Sequence, residues 1–252
     1  MRIEQLYRYP VKGLTAEALE EVTVEPGEML PWDRAFALAQ GDAPFDPAAP
    51  SWLQKTHFMC LMANARAAEL KSLFEPKSGT LTLLARDGSQ IAANVLSPAG
   101  RAKMAAWLAE FLGDEARGTP QFHHVPGHAF SDVRAKVVSM INLASVDDLA
   151  RRAGAPRDKL RFRANLYFTG APAWSELDWI GQEFQAGGAR LRIVRRIPRC
   201  KATEVNPATA LRDADPVAEL RAAFGHPDLG IYGEVIEGGR ISVGDALEPM
   251  PV

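Results

Sequence analysis

The sequence predicts a mostly β, α+β protein, on three observations. Short runs of alternating apolar and polar residues recur along the chain, the period-two pattern of half-buried strands. Few segments carry helical periodicity, and turn-forming Pro, Gly and Asp separate the runs, which favours barrels or sandwiches over a βαβ sheet. No GxGxxG follows a strand and no GxxxxGK[ST] is present, so dinucleotide and Walker-type nucleotide sites are disfavoured.

In chain order, Ile3, Leu6, Tyr7 and Tyr9 form a first strand leading into Pro10. Leu19, Val22 and Val24 alternate loosely with Glu20, Glu21, Thr23 and Glu25 in a second, and Pro26-Gly27 marks a turn. Arg34–Ala39 reads as another strand and 41–50, GDAPFDPAAP, as a loop. Leu61, Met62, Ala65, Ala68, Leu70, Leu73 and Phe74 predict a helix over 61–75 that Pro76 stops. Residues 79–96 form a hairpin turning at Asp87-Gly88. Ser97-Pro98 opens a helix that Gly113 ends.

Residues 117–135 are polar and turn-rich, and a boundary near residue 120 divides the chain into 1–120 and 121–252. The second half begins with a strand at Lys136–Ile141. A helix follows over Val146–Arg152, with Ser145 as N-cap and Asp147-Asp148 in its first turn. Strands at 163–169, 182–186 and 190–197, a helix at 216–224 and strands at 231–237 and 240–247 complete the reading, with Gly238-Gly239 as the last turn.

Composition narrows the function. The 252 residues are 47% hydrophobic and 24% charged with a net charge of −2, so nothing in the total favours a nucleic-acid or acidic-membrane partner. The N-terminus lacks a signal-peptide apolar run, and no uncharged apolar stretch is long enough to span a bilayer. A cytoplasmic location is the expectation. Two cysteines, Cys60 and Cys200, cannot supply an all-Cys iron–sulfur cluster or a Cys-rich zinc site. His123, His124 and His128 have no carboxylate or thiol at helical spacing beside them, and no GxSxG elbow is present.

The segment 190–201, RLRIVRRIPRCK, stands out. Six of its twelve residues are basic in a chain that is net negative. Leu191 and Ile193 alternate with Arg190 and Arg192, so part of this density reads as a solvated strand edge whose arginines discourage further pairing. Cys200 shifts the reading, because a thiol flanked by Arg199 and Lys201 favours its thiolate, a nucleophile and soft-metal ligand. Arginine forks suit phosphate. A thiolate beside an anion-binding patch points to a phosphorylated, metal-bearing ligand. A small buried hydrophobe is the competing reading of Cys200. Cys60, in HFMCLM, reads as core.

These residues bring a known family into view. Tyr9-Pro10-Val11-Lys12 followed by Gly13, and then Asp33-Arg34, resemble the β-barrel domain that precedes MOSC domains. Arg163-Ala164-Asn165-Leu166, Trp174–Trp179, Arg199-Cys200-Lys201-Ala202-Thr203, Gly230-Ile231-Tyr232 and Val243-Gly244-Asp245 resemble, in order, the MOSC domain itself. Ala164 stands at the family's usual proline, and Asn206-Pro207 at its frequent Asp-Pro. The resemblance implies a β-barrel MOSC domain over 121–252, preceded by a smaller β-rich domain with helices over 1–120. It implies a molybdenum–pterin cofactor bound between them. Carried over by position, Cys200 is the metal ligand and catalytic residue. Lys12, Arg34, Arg163 and Arg199 are candidates for phosphate and pterin, and Asn165 and Thr203 for pterin hydrogen bonds.

Three functions follow from that resemblance. The first is an oxidoreductase, similar to the mitochondrial amidoxime-reducing component, that reduces a small N-hydroxylated or N-oxide substrate with electrons from a separate reductase, since the chain has too few cysteines for a cluster of its own. The second is a sulfur carrier or sulfurtransferase using a Cys200 persulfide, and the third a cofactor-binding protein without turnover. The same thiolate serves the first two.

Overall fold

The computed structural model describes residues 1–251. The chain is built mostly of strands, with three α-helices among the described residues. In order, the strands of the first half are β1 (Arg2–Arg8), β2 (Glu17–Leu19), β3 (Glu21–Val24), β4 (Phe36–Ala39), β5 (Lys71–Glu75), β6 (Thr80–Leu84) and β7 (Gln90–Asn94), followed by helix α1 (Pro98–Leu112). Then come β8 (Gln121–His124), β9 (Val138–Asn142), α2 (Leu143–Ala153), β10 (Leu166–Thr169), β11 (Glu183–Ala186), β12 (Ala189–Pro198), α3 (Pro216–Phe224), β13 (Asp228–Glu237), β14 (Gly239–Ser242) and β15 (Leu247–Pro249).

Eight strands form one curled sheet in the order β15-β11-β12-β13-β9-β10-β1-β2. All pairs are antiparallel except β9 with β10. The chain's first strand therefore closes the sheet of its second half. The Val243-Gly244-Asp245 turn fixes that closure: Ile3 N donates to the Asp245 carbonyl at 2.9 Å, and Gly244 N to the Ile3 carbonyl at 2.8 Å. The β3–β14 ribbon supplies Val22, Val24 and Ile241 to the core inside the curl, with Leu6, Phe168, Phe184, Leu191 and Val235.

The other sheets are small. β5-β6-β7 is a meander and β4-β8 a ribbon, packed with α1 around Phe36, Leu38, Met59, Phe74, Leu83, Met104 and Leu108. Val205, just downstream of Cys200, is buried in this same core. The segment after the candidate thiol is thus rooted in the opposite half of the molecule.

Four sequence expectations need correction. Residues 61–75 are not a helix: a 3-10 turn (Ala65–Glu69) gives way to β5, whose burial alternates with period two. Leu73, counted on the helical face, is 65% exposed, and pairing with β6 overrides the local pattern. The 117–135 loop contains β8, which buries Phe122 against β4. Helix α2 starts one turn early, capped by Asn142 Oδ1, which accepts from Ala144 N at 3.1 Å. Ser145 instead turns inward, donating to Glu176 Oε1 at 2.7 Å. Lastly, β12 lies between β11 and β13, so Arg190 and Arg192 are not on a sheet edge. Arg190 pairs with Glu237, and Arg192 reaches Glu183 at 3.0 Å.

Glu176 is fully buried, accepting from Ser145 and from Asn142 Nδ2 (3.2 Å), with no cation paired to it among the described residues. Burial pushes its carboxyl pKa above the usual range, against the pull of these donors. A carboxyl raised in the folded state loses stability as pH climbs from the ordinary carboxylate value through the raised one. Glu176→Gln should therefore flatten the decline of melting temperature with pH across that window. A wild-type-minus-variant difference that stays constant from pH 4 to 8 would refute this reading of Glu176.

Candidate functional site

The residues singled out in both halves converge on one cavity of about 250 Å³. From the first half come Lys12 and Arg34, from the second Arg163, Arg199 and Cys200. Backbone geometry brings them in. Val11 bridges to Phe36, setting Lys12 beside the start of β4. Gly13, at φ +85°, follows, and a Cβ there would sit 2.9 Å from the Met59 carbonyl oxygen. Arg34 (φ 50°) and Arg163 (φ 52°) are both left-handed, a conformation costing about 1–2 kcal/mol in a non-glycine residue. Such strain persists only where surrounding contacts over-determine it.

Tyr9 supplies those contacts. Its buried ring lies 4.6 Å from the Arg34 guanidinium and 4.4 Å from that of Arg163. Its backbone N donates to Asp33 Oδ1 (2.8 Å), and its carbonyl accepts from Arg34 N (2.7 Å). Burial pushes its hydroxyl pKa well up, so the ring stays neutral between two cations.

The arginines also cross the seam between halves. Arg34 Nη2 donates to the Arg163 carbonyl at 2.9 Å, and Arg163 Nη1 to the Leu14 carbonyl at 2.6 Å. Arg199 donates to the carbonyls of Leu229 (2.7 Å) and Phe162 (2.8 Å). Gly230, at φ +82°, permits this approach, since a Cβ there would come within 3.0 Å of Arg199 Nη2. Arg212, in the segment after the thiol, clamps Lys201 to the Leu61 and Met62 carbonyls.

Cys200 follows β12 and is partly exposed to the cavity. Arg199 N donates to the Pro227 carbonyl at 2.9 Å, fixing the approach to it. Thr203 Oγ1 donates to the Cys200 carbonyl, also at 2.9 Å. Asn165 Oδ1 accepts from Ser139 N and Oγ, and its Nδ2 donates to the Tyr7 carbonyl. Thr203 and Asn165, expected to offer hydrogen bonds to a ligand, are thus engaged within the fold and shape the backbone around the cavity.

Sequence reasoning gave no site role to three cationic or aromatic wall residues, of which Tyr232 was noted only within the Gly230-Ile231-Tyr232 match. Lys55 comes from a 3-10 turn (Lys55–His57) after the proline-rich loop. Burial works against its charge, but Cys200 and then Asp132 more than compensate and raise its pKa. Arg161 is buried, bonded to the Glu204 carbonyl at 2.9 Å, and its Nε has no partner. Tyr232, on β13, lies 5.2 Å below the Arg195 guanidinium. No local pattern around Lys55 or Arg161 marks either one. Cys60 is buried as expected but also touches the cavity, and burial raises its pKa.

The charge balance of this wall is lopsided. Among the described residues, seven cations line it (Lys12, Arg34, Lys55, Arg161, Arg163, Arg195 and Arg199) against one carboxylate, Asp132. Lys12, Arg34 and Arg161 have carboxylate partners in Asp132, Asp33 and Asp213. Among the described residues, Lys55, Arg163, Arg195 and Arg199 form no ion pair. Burial pushes the Arg163 and Arg199 pKa values down. The three histidines form no metal cluster among the described residues; His123 and His128 both lie against Phe45, and His124 against Phe36. No helix is long and apolar enough to cross a membrane.

No curated protein matches the sequence. Among solved structures, the YuaD protein from Bacillus subtilis is 15% identical, with a TM-score of 0.48, over 98% of this chain and 94% of that one. YiiM from Geobacillus stearothermophilus (18%, TM-score 0.36) aligns with 45% of this chain and 54% of its own. YiiM from Escherichia coli (18%, TM-score 0.33) aligns with 46% and 54%. The model of the MOSC N-terminal β-barrel domain matches residues 1–121 and that of the MOSC domain residues 121–248, so this chain belongs to the MOSC family.

Proposed function

We propose that this protein binds a molybdenum–pterin cofactor in the cavity between its two halves and works as an oxidoreductase on small N-hydroxylated or N-oxide compounds. Electrons would come from a separate reductase. The observation that carries the reading is the set of cations without carboxylate partners gathered around one partly exposed thiol. Cations left unpaired by the protein await an anion, and guanidinium forks suit phosphate. A soft thiolate beside them suits a soft or borderline metal. Family membership associates the chain with molybdenum-cofactor binding.

The residues fit such a group. Arg163, Arg199 and Lys55 would hold the phosphate and pterin, with Arg34 and Lys12 beside them, and Cys200 would ligate the metal. When bound, the cofactor supplies the redox cycling and oxygen-atom chemistry. The chain's own part is to hold the anion, present the thiolate and limit water. Lys55 keeps its proton and stands beside Cys200, where it would offset the charge of a metal-bound thiolate. Tyr232 and Phe162 close the wall around Arg199.

The direct test is metal and pterin analysis of protein purified from a host that makes the cofactor. Near-stoichiometric molybdenum with pterin is expected. No molybdenum but a cyanide-labile sulfur on Cys200 would establish sulfur transfer instead. Two variants separate the roles. Cys200→Ser removes the soft ligand and should abolish reductase activity while pterin still binds. Arg163→Ala should lower occupancy about 10- to 100-fold, the worth of one charge-assisted hydrogen bond, while the loaded fraction keeps its activity. Wild-type activity in Cys200→Ser with molybdenum present would end the thiolate-ligand reading.

The two thiols should also differ in reactivity. Cys60 is 6% exposed with a raised pKa, whereas Cys200 is partly exposed near Lys55. Iodoacetamide should alkylate Cys200 well before Cys60 in the folded, cofactor-free protein; peptide mapping that finds Cys60 modified first would contradict this.

A further inference from the structure

The cavity contains an anion of the protein's own. Asp132 is its one carboxylate, and its partner is the buried Lys12. Half of the Asp132 side-chain surface is uncovered, against 6% for Lys12. Asp132 lines the cavity, and Arg34 and Lys55 also act on its charge there. The carboxylate therefore stands where an incoming anion would meet the same cations.

Its tether is slight. Phe130 is anchored: it is 3% exposed, packed on Phe45 and Phe58, and its N donates to the Arg34 carbonyl at 2.8 Å. Beyond it the chain runs to β9 without regular structure. Among the described residues, 131–137 contribute no backbone–backbone hydrogen bond outside their own strand or helix. The Ser131 carbonyl accepts from Trp52 Nε1 at 3.2 Å, the Arg134 guanidinium lies 5.2 Å from the Trp52 ring, and Lys136 reaches Glu28 at the surface. Lys12 holds the segment from inside, donating to the Phe130 carbonyl at 3.0 Å and to Asp132.

We infer that Asp132 is the resident counter-ion of the cavity, and that a ligand's phosphate-like group binds by displacing it from Lys12 and releasing the 131–136 segment, which acts as a latch. This rests on the anion-binding reading of the cavity. One carboxylate screens the cations while the cavity waits for its ligand. A multiply charged anion engages the unpaired arginines as well as Lys12, so it outcompetes a single carboxylate.

The test uses the full chain from a host that makes no pterin cofactor, with inorganic pyrophosphate as the probe. Calorimetric titration should show Asp132→Asn binding pyrophosphate about tenfold or more tightly than wild type, the effect of removing one competing charge. Trypsin cleavage after Arg134 in the wild-type protein should become faster when pyrophosphate is added, because release of the segment takes Arg134 off the Trp52 ring. Equal or weaker binding by Asp132→Asn overturns the inference. Unchanged or slower cleavage overturns it too, even if the variant binds more tightly, because the carboxylate then acts at a distance without leaving. Should Asp132→Asn fail to fold, the wild-type cleavage rate decides alone. If neither protein binds pyrophosphate, the anion-binding reading falls, and the latch with it.

Discussion

Like charges gathered in a low-dielectric seam must each be given partners, and this requirement organises the molecule. Burying a cation is expensive unless it is paired or fully hydrogen-bonded. Here the partners are mostly backbone carbonyls, and many come from the other half of the chain. Arg163 uses Leu14 and Arg199 uses Leu229 and Phe162, while Arg34 and Lys12 add the carbonyls of Arg163 and Phe130 to their carboxylate partners. A carbonyl satisfies a donor without cancelling its charge. The seam is thus held together while its positive field is kept, which a carboxylate would have extinguished.

The same contacts explain why two arginines tolerate left-handed backbone. Arg34 and Arg163 approach the Tyr9 ring from different parts of the chain, and each also holds a carbonyl across the seam. A neutral ring between two cations gains cation–π attraction from both, about 2 kcal/mol or more each when desolvated, enough to offset the backbone cost. Strain of this kind sets side-chain direction firmly. The two guanidiniums have little freedom to collapse onto a surface carboxylate, and preorganised donors lose less entropy when an anion arrives.

The mostly β class was legible because alternation is local, as were α1, with Ser97 and Gly113 at its ends, and α3. The hairpin at Asp87-Gly88 was legible for the same reason. What failed was decided by distant partners. β5 looked helical until β6 pairing set its period, and β8 was hidden in a polar stretch until β4 claimed it. In the cavity, motif residues such as Lys12, Arg34, Arg163 and Cys200 were readable from the family resemblance. Lys55 was not, because a lysine in a proline-rich loop carries no signal until tertiary folding sets it opposite a thiol. Asn165 and Thr203 line the same cavity with side chains already engaged. Their motif position marked them as ligand contacts, yet their side chains hold the backbone that builds the wall.

β12 shows what separates a structural arginine from a binding one. Its basic residues look equivalent in the sequence. Arg190, Arg192 and Arg196 have carboxylates in Glu237, Glu183 and Asp178. Arg195 and Arg199, on the same strand and just past its end, have none among the described residues and line the cavity with Cys200. Density of positive charge is therefore a poor guide to function, since most of it is neutralised where it arises. The informative quantity is charge left over after local pairing, which only the folded neighbours of each arginine reveal. Along this strand the charge left unpaired among the described residues lies at Arg195 and Arg199, toward its C-terminal end, where Cys200 follows and the cavity opens.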